Sequence, residues 1–148
     1  MTTIALPYPH TGQQAVARGM KRHTRLVAGR RWFKSSFACS HCIAQALRGE
    51  RIIWGAPIFD QVRVAYDWIE HAAYGVMRAN QSRMEMKFDG GGSILFRSFD
   101  NPDSARSHTA NGVVMDEAAD LEGRPITRSF ARQVLDLDAT DEDALCDR

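Results

Sequence analysis

Apolar residues along the chain come in short bursts separated by glycine, proline and charge. Arg25-Leu-Val-Ala28 reads as a short buried strand stopped by Gly29. Ser35 to Leu47 has helical spacing, with Phe37, Ala38, Ile43, Ala44, Ala46 and Leu47 as its apolar positions and Gly49 as its stop. Arg51-Ile-Ile-Trp54 predicts a second strand, broken by Gly55 and Pro57. Asp60 to Tyr74 predicts a helix with Val64, Trp68 and Ala72 on one stripe and Ile69 and Ala73 beside it. Met84–Phe88 and Ser93–Ser98 alternate like strands around Gly90-Gly91-Gly92, a hairpin signature. Val113-Val-Met115 is a third apolar strand, ending in Asp116-Glu117. Gly12 to Met20 suits a short helix, and Asn101-Pro-Asp-Ser104 a turn or helix start. Strands alternating with helices predict an α/β layer fold with a mostly parallel central sheet.

Composition narrows this little. A length of 148 residues favours one domain, and 44% apolar with 25% charged residues is the ordinary range of a globular protein. No apolar run approaches the roughly 20 residues that span a bilayer. Met1-Thr-Thr-Ile-Ala-Leu-Pro7 lacks a basic stretch followed by an apolar one, so no signal peptide is read there. Three cysteines do not make a disulfide framework, and a reducing, cytoplasmic setting is expected.

Charge changes the picture more. The net charge of +1 hides an uneven distribution: no acid precedes Glu50, while Arg18, Lys21, Arg22, Arg25, Arg30, Arg31, Lys34 and Arg48 do. The end is acidic, with Asp136, Asp138, Asp141, Glu142, Asp143 and Asp147 close together. A basic first third suits an anionic ligand, a nucleotide phosphate or DNA, and equally a solvated basic face.

The candidate chemistry lies at Gly29-Arg30-Arg31-Trp32-Phe33-Lys34-Ser35-Ser36. This segment is expected to leave a strand and open a helix, the setting a phosphate loop requires. Backbone N–H groups at a helix start carry partial positive charge and attract phosphate. Lys34 would reach the β and γ phosphates, the Ser35 hydroxyl would ligate Mg²⁺, and Arg30 and Arg31 add charge. The fit to G-x-x-x-x-G-K-[ST] is partial, since Ala28 and Phe33 stand at the glycine positions. The second element is Asp116-Glu117, where an aspartate at a strand's carboxyl end can hold the metal and the next glutamate can orient water.

Four ordered blocks resemble the large subunit of bacteriophage DNA-packaging terminases, in its amino-terminal ATPase half. They are Ala28-Gly-Arg-Arg-Trp-Phe-Lys-Ser35, Trp54-Gly-Ala-Pro-Ile-Phe-Asp-Gln-Val-Arg-Val-Ala65, Gly92-Ser-Ile-Leu-Phe-Arg-Ser-Phe-Asp-Asn-Pro-Asp-Ser-Ala-Arg106 and Val113-Val-Met-Asp-Glu-Ala-Ala119. Tyr8-Pro-His-Thr-Gly-Gln13 is similar to the segment ahead of the family's first strand, where a glutamine reads the adenine edge. The likeness covers roughly Leu6 to Leu121. Ile58 stands for a usual threonine and Ser107 for a usual glycine.

The resemblance implies a three-layer P-loop NTPase of RecA-like (ASCE) type, with its sheet incomplete on the C-terminal side. It implies an ATPase domain at 1–122 and an acidic, poorly ordered or non-native tail at 123–148, as in a truncated or frameshifted reading frame without the nuclease domain. Implied cofactors are ATP and Mg²⁺. Implied partners are double-stranded DNA, a portal protein, a small terminase subunit and further copies in a ring, with no membrane, in the host cytoplasm. In that scheme Gln13 and Gly29 to Ser36 bind nucleotide, Ser35 and Asp116 hold Mg²⁺, Glu117 positions water, and Lys34 and Arg31 stabilise transferring charge. A helicase-like nucleic-acid ATPase, or a fragment binding nucleotide or DNA without turnover, is the alternative.

Cys39-Ser-His-Cys42 is expected to pack a helix rather than bind metal, because no second cysteine pair completes a zinc site. Trp54, Trp68 and Phe59 fit core or rim positions better than base stacking, and His10, His23, His71 and His108 are read as surface residues.

Overall fold

The structure is a computed structural model and describes residues 3–99 and 108–117. Three helices and five strands follow in the order α1 (Thr11–Gly19), α2 (Lys34–Leu47), β1 (Arg51–Ala56), α3 (Phe59–Ala72), β2 (Met77–Asn80), β3 (Glu85–Phe88), β4 (Ser93–Ser98) and β5 (Gly112–Met115). The strands make one sheet in the order β2-β3-β4-β1-β5. β1 runs parallel to β4 and β5, and β3 runs antiparallel to both β2 and β4. The sheet is therefore mixed, not mostly parallel. A tight glycine turn between β3 and β4 permits only antiparallel pairing, because a parallel return needs a long crossover.

Helices α2 and α3 pack on one face of the sheet. Trp54, Tyr66, Phe96, Ile43, Ile69, Met86 and Ile94 are fully buried there. Each large apolar side chain removed from water in this layer contributes about 1.5–3 kcal/mol. The opposite face carries a smaller cluster of Ile53, Leu95 and Phe99, with Val113 and Met115 against it.

Several expectations are corrected. Arg25–Ala28 is irregular rather than a strand, and Val27 is 79% exposed. Its local apolar character has no ladder partner among the described residues. Gly55 does not end β1, which runs on to Ala56. A Cβ at Gly55 would lie 2.0 Å from Cζ of Phe99, so the glycine admits a ring against the strand instead of breaking it. The core stripe of α3 is Val62, Ala65, Tyr66 and Ile69, whereas Val64 is 71% exposed. At 100° per residue, position 64 faces away from 62 and 66. The Asn101–Ser104 turn, Arg106, Ser107, the acidic tail and the boundary at 122–123 lie outside the described residues.

Candidate active site

The predicted phosphate loop joins irregular chain to α2. Arg31 and Phe33 both have left-handed backbone, with φ of 66° and 61°. Such conformations cost a non-glycine residue about 1–2 kcal/mol. They also make a concave nest of N–H groups when they alternate with ordinary residues. Phe33 is the N-cap of α2 and makes no side-chain cap, which leaves the first-turn N–H groups of the helix turned outward. The Phe33 ring points to solvent, 64% exposed, so the chain tolerates a side chain at the usual glycine position by directing it out of the loop.

α1 holds the back of this loop. His10 caps α1: its Nδ1 accepts from the backbone N–H of Gly12 (3.1 Å) and of Gln13 (3.4 Å). With Nδ1 an acceptor, the ring hydrogen sits on Nε2, which donates to the Trp32 carbonyl at 3.2 Å. The Gln13 side chain is buried. Its Oε1 accepts from His10 N at 3.1 Å, and its Nε2 donates to the carbonyls of Trp32 (3.3 Å) and Phe33 (3.4 Å). The Gln13 amide is thus engaged at both ends, by the N-cap of α1 through Oε1 and by the loop through Nε2, and reading an adenine edge would require these bonds to rearrange. The Trp32 indole meets the rings of His10 and Phe37 edge-on, at 4.9 and 6.0 Å. With the carbonyls of residues 32 and 33 tied to α1, the loop is fixed from behind. His10 is exposed, as expected of a surface residue, and is also part of this latch. The spacing His10-x-x-Gln13 was its signal, a capping box with an unusual first member.

At the front, Lys34 Nζ donates to the carbonyl of Ala28 at 2.7 Å and of Gly29 at 3.4 Å, so the ammonium arches over its own loop. Ser35 Oγ donates to Asp116 Oδ2 at 2.8 Å. This contact joins the two candidate elements across 81 residues of sequence. Asp116 is placed by β5: its N–H continues the ladder to Gly55 O at 2.9 Å, just past the carboxyl end of the strand. The other carboxylate oxygen, Oδ1, accepts from Glu117 N at 3.1 Å. Glu117 is exposed and left-handed, with φ of 50°, a strained turn of the kind that gathers at functional sites. Lys34, Ser35, Asp116 and Glu117 therefore stand at one end of the sheet. Arg30 and Arg31 are exposed on the same loop, and Ser36 lies in the first turn of α2, its carbonyl accepting from Ser40 Oγ at 2.9 Å.

The other candidates take core or rim positions. Trp54 is buried, Trp68 packs against the core and Phe59 is 46% exposed. Cys39 and Cys42 are both buried. Burial, with smaller effects from Cys42 and Asp116, pushes the Cys39 thiol far up, and burial pushes Cys42 up to about 12. Thiols held protonated in this way are poor nucleophiles and poor metal ligands. Among the described residues no group of three His, Cys, Asp or Glu could hold a metal ion unaided, and no helix is long and apolar enough to cross a membrane.

No protein-family model matches the chain, and no curated protein is matched by it. Solved structures do match in fold. The large terminase ATPase domain of Thermus phage P74-26 is similar at a TM-score of 0.65 and 20% identity, over 84% of this chain and 61% of that one. An arginine-to-alanine mutant of the same domain is similar at 0.65 and 19% identity, over 85% of this chain and 62% of that one. The chain thus spans about three-fifths of the domain it resembles. At this identity the likeness is one of fold: an α/β domain with a five-stranded mixed sheet and three helices.

Proposed function

We propose that this chain is a nucleotide-binding ATPase core of the phage large terminase type, whose hydrolysis of ATP drives movement of double-stranded DNA into a capsid. The observation that carries the reading is the 2.8 Å bond from Ser35 Oγ to Asp116 Oδ2. It places a helix-start hydroxyl and a strand-end carboxylate side by side, with an ammonium and a row of outward N–H groups adjoining. The fold likeness to a terminase ATPase domain supports the same reading.

The donor set fits Mg²⁺. A hydroxyl and a carboxylate are hard oxygen ligands, and two protein oxygens suffice because Mg²⁺ keeps water and takes substrate phosphates for the rest. Ser35 Oγ gives its hydrogen to Asp116 and retains lone pairs for a cation. Bound there, the ion would neutralise charge between the β and γ phosphate oxygens. The loop residues Gly29 to Ser36 would wrap the phosphates. Lys34 would exchange the carbonyls of Ala28 and Gly29 for phosphate oxygens. Glu117 would hold a water in line with the γ-phosphorus, so that a new P–O bond forms as the β–γ bridging bond breaks, the proton passing to the carboxylate. Arg31 would counter charge spreading on the transferred group. A portal, a small subunit and further copies of the chain are the partners this role calls for.

The test is ATP turnover and nucleotide binding by the chain and by Lys34→Ala and Glu117→Gln. The expected pattern is turnover lost in both variants, with binding kept in Glu117→Gln and weakened in Lys34→Ala. If all three proteins are equally inert while nucleotide still binds, the chain is a binding fragment and the enzyme reading is wrong.

A further inference from the structure

Telling one base from another takes hydrogen-bond groups turned toward its edge, and the polar side chains of α1 are turned the other way. Gln13 is 7% exposed. Its Nε2 carries two hydrogens and has two carbonyl partners, Trp32 at 3.3 Å and Phe33 at 3.4 Å. Its Oε1 accepts from the His10 N–H at 3.1 Å. These partners fix which end of the amide points where, because a carbonyl only accepts and a backbone N–H only donates. Gln14 Nε2 donates to the Pro9 carbonyl at 2.8 Å. Both ring nitrogens of His10 are taken, Nδ1 by the N–H groups of Gly12 and Gln13 and Nε2 by the Trp32 carbonyl. Every amide and imidazole on α1 and its cap is therefore bonded to the chain's own backbone.

An adenine edge sets a ring-nitrogen acceptor beside an amino donor, and a glutamine pairs with it through Nε2 and Oε1 together. Gln13 could do so only by releasing the carbonyls of Trp32 and Phe33. Phe33 and the nearby Arg31 are the left-handed residues of the loop. Reading the base would thus loosen the backbone that has to wrap the phosphates. What the loop turns outward is charge: exposed Arg30 and Arg31, and the N–H groups at the start of α2. These recognise phosphate oxygens, which all nucleoside triphosphates share. Tyr8, two residues ahead of His10 and 87% exposed, offers a ring, and every base has a face to stack on one.

We propose that the site takes nucleoside triphosphates as a class, without preference for adenine, and that Gln13 is a positioning residue for the phosphate loop and not a base reader. The inference rests on the nucleotide-binding reading above and deepens it: the substrate is recognised as a Mg²⁺ triphosphate, whatever base it carries. Strong discrimination, by about 10⁴–10⁵, arises where the wrong substrate leaves a site's polar groups unpaired. Here the groups on α1 are paired before any nucleotide arrives, so a change of base leaves none of them unsatisfied. Loss of the Gln13 amide acts through the loop, on the part that all triphosphates have in common. It therefore weakens each of them by the same factor.

The experiment is calorimetric titration with the Mg²⁺ complexes of ATP, GTP, CTP and UTP and of inorganic tripolyphosphate. It is run on the chain, on Gln13→Ala and on Gln13→Glu. In the parent the nucleotide Kd values should agree within about threefold. Gln13→Ala should weaken the nucleotides and tripolyphosphate alike, by about tenfold, the worth of a lost buried hydrogen bond. Gln13→Glu can still accept from His10 but sets a carboxylate against two carbonyls, and it should weaken all of them at least as much. The comparison of bases is made on the parent, so a variant that fails to fold leaves it standing. A parent preference of about tenfold or more for any one base overturns the proposal. So does a Gln13→Ala loss confined to ATP, with tripolyphosphate binding unchanged, for that is the mark of a base reader. Binding of neither the nucleotides nor tripolyphosphate by the parent is a distinct result: it overturns the nucleotide reading itself, and this inference with it.

Discussion

Replacing Gly55 with alanine should destabilise the fold severely, and only because of Phe99. The added Cβ would sit 2.0, 2.4 and 2.9 Å from three ring carbons of Phe99, a side chain only 1% exposed. β1 is the central parallel strand and is bonded on both sides, so the backbone cannot recede. The ring must leave. Giving up a buried phenyl costs about 1.5–3 kcal/mol in transfer, and phenylalanine truncations with their residual cavities reach about 3–5 kcal/mol. We expect Gly55→Ala to cost about 2–4 kcal/mol, bracketed by those limits. The assay is urea denaturation of four proteins: parent, Gly55→Ala, Phe99→Ala and the double variant. If the ring is the obstacle, Gly55→Ala adds almost nothing once Phe99 is alanine, giving a coupling energy equal to its own cost, about 2–4 kcal/mol. Additive effects, or a Gly55→Ala cost under about 0.5 kcal/mol, would refute the steric argument. The same variant should disturb the candidate site, because the Gly55 carbonyl receives the Asp116 N–H at 2.9 Å.

Ile58 is the N-cap of α3, has the extended backbone a cap requires and makes no side-chain cap bond. Being 49% exposed, it loses little burial on replacement, and Ile58→Thr should stabilise by about 1 kcal/mol, read as a rise in Tm of about 3 °C. Cys39 and Cys42 should resist a thiol reagent at pH 8 in a Cys146→Ser background until denaturant is added, and labelling of the native chain at the rate of a free thiol would contradict their burial. Burial, with a smaller effect from Arg48, holds His41 below its ordinary 6.5. The unfolded chain therefore binds the His41 proton first as pH falls. Stability should decline from just above pH 6.5 down through the lowered folded value, and His41→Gln should flatten that part of the pH profile.

The parts of the fold legible in the sequence were those whose periodicity and stop signals agreed. α2 and β3–β4 fall within a residue of expectation, since glycine at 49 and at 90–92 closes segments whose apolar spacing already fits. β2 gave no signal: Met77–Asn80 is short and largely exposed, held by its pairing with β3 and by Met77 against the core. The opposite error at Arg25–Ala28 has the same cause. Strand formation depends on a partner, and apolar character without a ladder leaves Val27 exposed. Gly55 was read as punctuation because sequence alone cannot reveal a ring 44 residues away lying against it.

The candidate site divides in the same way. Each half of the Ser35–Asp116 contact was visible as a residue type in a suitable context, but their union depends on β5 pairing beside β1, which no spacing encodes. The latch formed by His10 and Gln13 shows what such a union requires of the surroundings. Two left-handed residues, Arg31 and Phe33, are held in a loop that lacks the glycines expected at 28 and 33. Strain of about 1–2 kcal/mol at each persists only where neighbours over-determine the backbone. The bonds from α1 to the carbonyls of Trp32 and Phe33 do this from behind, and Lys34 on the carbonyls of Ala28 and Gly29 does it from in front. Of these restraints only those from Lys34 must break when a phosphate takes the ammonium. The ones from α1 can remain, so the loop has a means of keeping its N–H groups aimed outward while its lysine changes partners.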